Sequence, residues 1–302
     1  HLEPDDPVGA WLLATSHERA GRLEAAAIEL RRLLELDPGA ELPMTRLCEL
    51  ELRRHRWTDA LELADALVRR REPGPSDWDR MTAATALGRW ELVRDSCARL
   101  GIELDEPAGP IDEDWGSCRI EFEDDAGRPR WARRTGPVTA RVSEICGPGA
   151  ARERHRELVL FDPAPVTREL EGPAGRALCT YRSLAVLEPG ARRSFTLDGA
   201  APDEARVQAL ASALRRFDLT LQRRSGDGYT FQDSEDDATH KGAYFFCSVP
   251  ASTELAALHA ALRDATVDWP SPTVWIELAE ALGDAHAEER QRQRALVQRY
   301  GL

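Results

Sequence analysis

The stretch ERAGRLEAAAIELRRLLELDP, Glu18 to Pro38, holds a turn glycine, a run of small residues, leucines at helical spacing and an Asp-Pro stop. Alone it reads as an amphipathic helix entered through a turn. Set over later segments it becomes one unit of a series. AGRLEAAAIELRRLLELDP aligns with RHRWTDALELADALVRRREP and ALGRWELVRDSCARLGIEL, so that Gly21, His55 and Gly88 fall 34 and then 33 residues apart. Two positions on, each unit has a large apolar residue: Leu23, Trp57 and Trp90. Ala26, Ala60 and Val93 follow, where a second helix needs a small side chain to approach the first. Leu30, Ala64 and Cys97, then Leu33, Leu67 and Leu100, continue the apolar face.

This period and these positions resemble the tetratricopeptide-repeat family over about residues 7–104. The first unit matches best, with Ala14, Gly21, Ala26, Leu30 and a closing Leu36-Asp37-Pro38. The second departs from the pattern, with His55 in the glycine position and Pro73 one residue late, and the third lacks a clear terminal proline. The resemblance implies helical hairpins that stack because one hairpin cannot bury its apolar face alone. Three pairs are close to the minimum, so the array is expected to lean on the rest of the chain. The resemblance also implies a peptide or partner protein on the face lined by the first helix of each pair. That helix contributes Glu18, Arg19, Arg46, Glu49, Asp79 and Arg80. An ordinary solvated face is the competing reading of each, and no repeated Lys/Asn carboxylate clamp is present.

Beyond Leu104 the composition changes. DEPAGPIDEDWGS brings prolines, glycines and acids, the marks of a linker or loop. Strand-like runs follow in CRIEFED, GPVTARVSEI, ELVLFD and YRSLAVLEPG, separated by turn signals that include Asp162-Pro163. They predict a small antiparallel sheet or barrel. Within it, Trp131, Arg133, Arg134 and Arg141 could form a second surface for an anionic ligand. The competing and favoured reading pairs these arginines with Glu121, Glu123 or Asp124. ARERHREL, with His155, reads as an exposed hairpin loop.

From Ser194 the element order becomes β-α-β-β-(β)-α and resembles a split βαβ, ferredoxin-like sandwich by order alone. Two helices around Gly283 end the chain. The fold class is therefore multidomain, α plus α+β: a repeat-like array over 1–104, a linker and β-rich module over 105–190, and an α+β module with terminal helices over 191–302.

Composition narrows function only by class. The chain has 302 residues, 31% charged, and a formal net charge of −13, which argues against general nucleic-acid or anionic-membrane binding. Lys241 is the sole lysine, and the arginine and alanine bias suggests a bacterial source. No run of about 18 apolar residues suggests a membrane span. A start at His1 reads as a trimmed sequence, in which a leader would be invisible. Six scattered cysteines without a C-x-x-C pair suggest reduced thiols in the cytoplasm.

No nucleophile elbow, phosphate loop or dinucleotide fingerprint is present. GPAG, beginning at Gly172, lacks a phosphate-cradling context. The acidic loop DSEDDATH could place Asp233, Asp236, Asp237 and His240 around a divalent cation, though it lacks the calcium-loop pattern, and a solvated hairpin is the ordinary reading. No other cofactor is expected. Cys-His catalysis would need Cys247 or Cys179 to meet His155, His240 or His259 in space. The leading expectation is a cytoplasmic interaction protein, a scaffold or adaptor, and no motif in the sequence names a reaction. The alternatives are a metal-dependent hydrolase or nuclease using the acidic loop, and a regulatory fragment of a larger protein.

Overall fold

Three turns set the N-terminal architecture. In the computed structural model, which describes residues 6–125, 127–169, 177–200, 203–269 and 272–302, Gly21, His55 and Gly88 have φ of 70°, 58° and 67°. Each turn closes the same way: the next residue, Arg22, Arg56 or Arg89, donates its N–H five residues back, to His17, Glu51 or Ala84, at 2.8–2.9 Å. This satisfies helix-end carbonyls that would otherwise be orphaned. His55 thus does the work of glycine in left-handed backbone, which disfavours a side chain, and its ring stacks on Trp57 at 5.1 Å.

The turns join α1 (Pro7–Arg19) to α2 (Leu23–Leu36), α3 (Glu41–Arg53) to α4 (Trp57–Val68), and α5 (Pro75–Ala86) to α6 (Trp90–Arg99). The Asp6 carboxylate accepts from the Val8 and Gly9 N–H groups to start α1, and Asp77 reaches back to the Gly74 N–H to start α5. Ala26, Ala60 and Val93 are fully buried at the expected small-residue positions. Below them, Glu51 is fully buried yet charged in character: it accepts from Arg31 at 2.5 Å and from Arg54 at 2.9 and 3.0 Å. That network ties α2 to α3.

A small barrel follows. Its strands are β1 (Ser117–Glu121), β2 (Arg130–Arg134), β3 (Thr139–Val142), β4 (Leu158–Phe161), β5 (Thr167–Glu169) and β6 (Leu178–Glu188). Neighbours run β1-β2-β3-β4-β6, and a parallel pairing of β1 with β6 closes the ring, while β5 pairs with β6. Alternation sends Cys118, Ile120, Ala132, Ala140, Val159, Phe161 and Tyr181 to one interior core. Outward-facing Val138, Leu160, Leu184 and Leu187 pack against Met81, Ala84, Val93 and Cys97 of the last hairpin. The array therefore leans on the barrel, within one compact unit of His1–Val142 and Leu158–Glu188.

The second unit comprises Ser143–Glu157 and Pro189–Leu302. Its elements are β7 (Arg192–Ala200), α7 (Glu204–Ala213), β8 (Thr220–Arg223), β9 (Thr230–Gln232), β10 (Thr239–Pro250), α8 (Leu255–Thr266), β11 (Thr273–Val274), α9 (Ile276–Ala281) and α10 (Ala287–Tyr300). The sheet order is β11-β7-β10-β8 with every pairing antiparallel, a split βαβ arrangement to which β9 adds a hairpin. Leu210 of α7, Leu214 just after it, and Leu258 and Leu262 of α8 cover Phe195, Leu197, Phe245 and Cys247. Among the described residues no helix is long and apolar enough to cross a membrane. All six cysteines are free thiols. GPAG falls outside the described residues.

Candidate functional site

The first helices of the hairpins carry a continuous line of charge. Glu18 of α1 accepts from Arg46 at 2.7 and 2.9 Å and from Arg53 at 2.7 Å, both of α3, and Arg46 also holds Glu49 at 2.6 Å. The helical period places Arg46, Glu49 and Arg53 on one face of α3. The line ends at a groove of about 440 Å³ in the first unit. Leu52, Trp78 and Leu184 give it apolar walls, and Glu49, Asp79, Asp162 and Arg53 supply its charge.

Asp79 is the unusual group. It is half-buried and makes no hydrogen bond or ion pair with any described residue. Burial pushes its carboxyl up to about 7, the Glu49 and Asp162 charges push the same way, and Arg71 opposes them. Its neighbours are occupied: Glu49 by Arg46, and Asp162 by the Ala164 N–H at 2.9 Å. An unpaired carboxylate beside apolar walls can recognise a cation or donate and accept a proton near neutrality.

The expected partner-binding residues divide. Glu18, Arg46, Glu49 and Asp79 belong to the charged line or the groove. Arg80 does not: it is buried, ion-paired with Asp65 at 3.1 Å and Asp95 at 2.6 Å, and holds α5 against its neighbours. Arg19 is exposed and outside the groove lining. Sequence reasoning missed Asp162 and Leu184 as groove residues, because barrel closure, not local pattern, brings them beside α5. Asp162-Pro163 was legible only as a turn.

The second expected surface resolves into pairs. Arg133 and Arg141 are cross-strand neighbours; Arg133 lies 3.8 Å from Asp112, and Arg141 bonds Glu188 at 3.2 Å. Arg134 lies over the rings of Trp115, Phe161 and Tyr181 at 5.2–5.4 Å and donates to the Pro137 carbonyl. Arg119 covers Trp131 at 4.8 Å. Arg133, Arg134 and Arg141 thus find acidic or aromatic company in Asp112, Glu188 and the rings of Trp115, Phe161 and Tyr181.

The acidic loop is likewise tied internally. Asp233 receives both arms of Arg299 from α10, at 2.6 and 2.9 Å, and Arg299 also pairs with Glu235 at 2.6 Å. That arginine holds the Asp233 carboxyl down to about 2. Asp236 caps the Ala238 N–H, Asp237 occupies left-handed backbone, and His240 stacks on Phe231. Among the described residues no three histidine, cysteine, aspartate or glutamate side chains converge to hold a metal ion. A guanidinium of the same chain, Arg299, supplies counter-charge to Asp233 and Glu235.

His155 is buried rather than exposed, with Nδ1 2.9 Å from the enclosed Ser248 hydroxyl, which also accepts from Arg192 at 2.8 Å. Burial, assisted by Arg192, pushes the imidazole down to about 4. His259 accepts from the Trp275 indole at 2.9 Å, and burial drives the Cys247 thiol far above its ordinary value. These are satisfied core groups, without the accessible thiolate that Cys-His catalysis requires.

No protein-family model matches this sequence, and no curated protein is significantly similar to it.

Proposed function

We propose that this protein is an interaction module, an adaptor or scaffold whose tetratricopeptide-like array captures an extended segment of a partner protein in the groove between α3, α5 and the turn after β4. One observation carries the reading: Asp79 stands without a partner among the described residues, between apolar walls and at the end of a line of otherwise neutralised charge. Groups arranged for stability alone are paired, as Arg80 and Glu51 are. Apolar walls supply affinity by burial, and a few charges fix register. The free thiols fit a reducing compartment, and we place the module in the cytoplasm.

Panning a random peptide library against the protein, with hydrogen exchange to map the selected sequences, tests this. The proposal expects selected peptides to slow exchange in α3, α5 and residues 162–164. Protection confined to other surfaces would sink it.

A further inference from the structure

Resting on that docking function, we infer that the groove takes the side chain of an arginine or lysine from the partner segment, flanked by apolar side chains. The groups facing Asp79 come from every element around it: Glu49 and Arg53 from α3, Arg71 after α4, and Asp162 after β4. Arg53 is engaged by Glu18, and Arg71 donates to Glu41 at 2.9 Å. Three carboxylates therefore meet in the groove with both nearby cations drawn elsewhere.

Above pH 7 the chemistry disfavours other occupants. A purely apolar segment laid over Leu52, Trp78 and Leu184 would bury the Asp79 carboxylate without a partner, or force it to take up a proton. An acidic segment would add like charge to the same place. A basic side chain supplies the missing counter-charge at its tip, while its methylene stem covers Trp78 and Leu184. Because Asp79 exchanges its proton near neutrality, capture strengthens as pH rises from 6 to 8. The array thus binds a basic segment in a proton-sensitive way.

Two fluorescent dodecapeptide pools test the inference, with apolar-biased flanks and either arginine or citrulline at the centre. Citrulline keeps the shape and removes the charge. At pH 8 the arginine pool is expected to bind about tenfold tighter or more, and to protect α3, α5 and residues 162–164 from hydrogen exchange. That advantage should shrink at pH 6 and in Asp79→Asn, with Asp162→Asn as a second variant whose side chain can keep the Ala164 bond. Equal binding of the two pools in the groove overturns the basic side chain and leaves docking intact. Protection of the groove by neither pool overturns the docking function itself.

Discussion

Asp79 and Arg80 are consecutive in α5 yet look out on different surroundings: Arg80 is locked between Asp65 and Asp95, and Asp79 faces the groove with no partner among the described residues. One is a structural charge and the other a vacancy for charge. The difference predicts opposite effects of removal. An acid whose folded value is raised to about 7 from an unfolded value near 4 binds more protons folded than unfolded between those limits. Its contribution therefore turns unfavourable as pH rises from about 4 to 7 and stays so above. Asp79→Asn should stabilise the first unit at pH 8 by about 1–3 kcal/mol, with little effect at pH 4. Urea titrations at both pH values measure it.

Glu51 gives the contrary case. It is enclosed and holds Arg31 and Arg54, the latter itself mostly buried. Glu51→Ala should cost about 2–3 kcal/mol, because it loses the charged hydrogen bonds to Arg31 and Arg54 and leaves the mostly buried Arg54 guanidinium with the exposed Glu24 as its counter-charge. Chemical denaturation of the single variant and of Glu51→Ala/Arg54→Ala checks this, since the double variant should recover part of the loss.

His55 stands in left-handed backbone that the equivalent turns fill with glycine. Relief of that backbone cost is about 1 kcal/mol, and the stacking on Trp57 opposes it. His55→Gly should raise stability by about 0.5 kcal/mol, and His55→Val should lower it by more than 1 kcal/mol. Denaturation midpoints of the pair separate backbone from side-chain effects.

His155 predicts an acid limit for the second unit. Its folded value near 4 lies below the unfolded value of about 6.5, so the unfolded chain binds the extra proton between them. Stability is unaffected by this group above about pH 6.5, falls as pH drops through that window, and has lost the full amount below about 4. The His155 C2 proton in an NMR titration should stay at its neutral shift down to about pH 5. The Arg299–Asp233 pair has the depressed-carboxylate sign: its stabilisation is present above about pH 4 and vanishes as pH falls through about 2. Arg299→Ala should lower the melting temperature at pH 7 and not at pH 2.

Local pattern carried the fold a long way. The recurrence of Gly21, His55 and Gly88 marked three turns that share one backbone geometry, because a left-handed turn and the small residue after it recur at fixed offsets. The strand-like runs CRIEFED, GPVTARVSEI and ELVLFD marked strands of the barrel, whose Ile120, Ala140 and Val159 line its interior. The parallel closure of β1 on β6 was not legible, since nothing in either strand specifies a neighbour some sixty residues away. The same closure brings Asp162 and Leu184 to α5, which is why half of the groove escaped the sequence. Charge was the least legible feature. Arg80 and Asp79 look alike in a charged helix, and only packing separates them. The acidic loop looked like a cation site because Arg299, its true counter-ion, lies 66 residues later.

Photo-crosslinking locates a bound peptide on the protein residue by residue. A library-selected peptide carrying a photoreactive leucine beside its anchor residue is bound at pH 8, irradiated, and the adducts are located by mass spectrometry. Adducts are expected on Leu52, Trp78 or Leu184, suppressed by excess unlabelled peptide and reduced in Asp79→Asn. Competed adducts that fall elsewhere, with these three residues unmodified, would contradict docking in the groove.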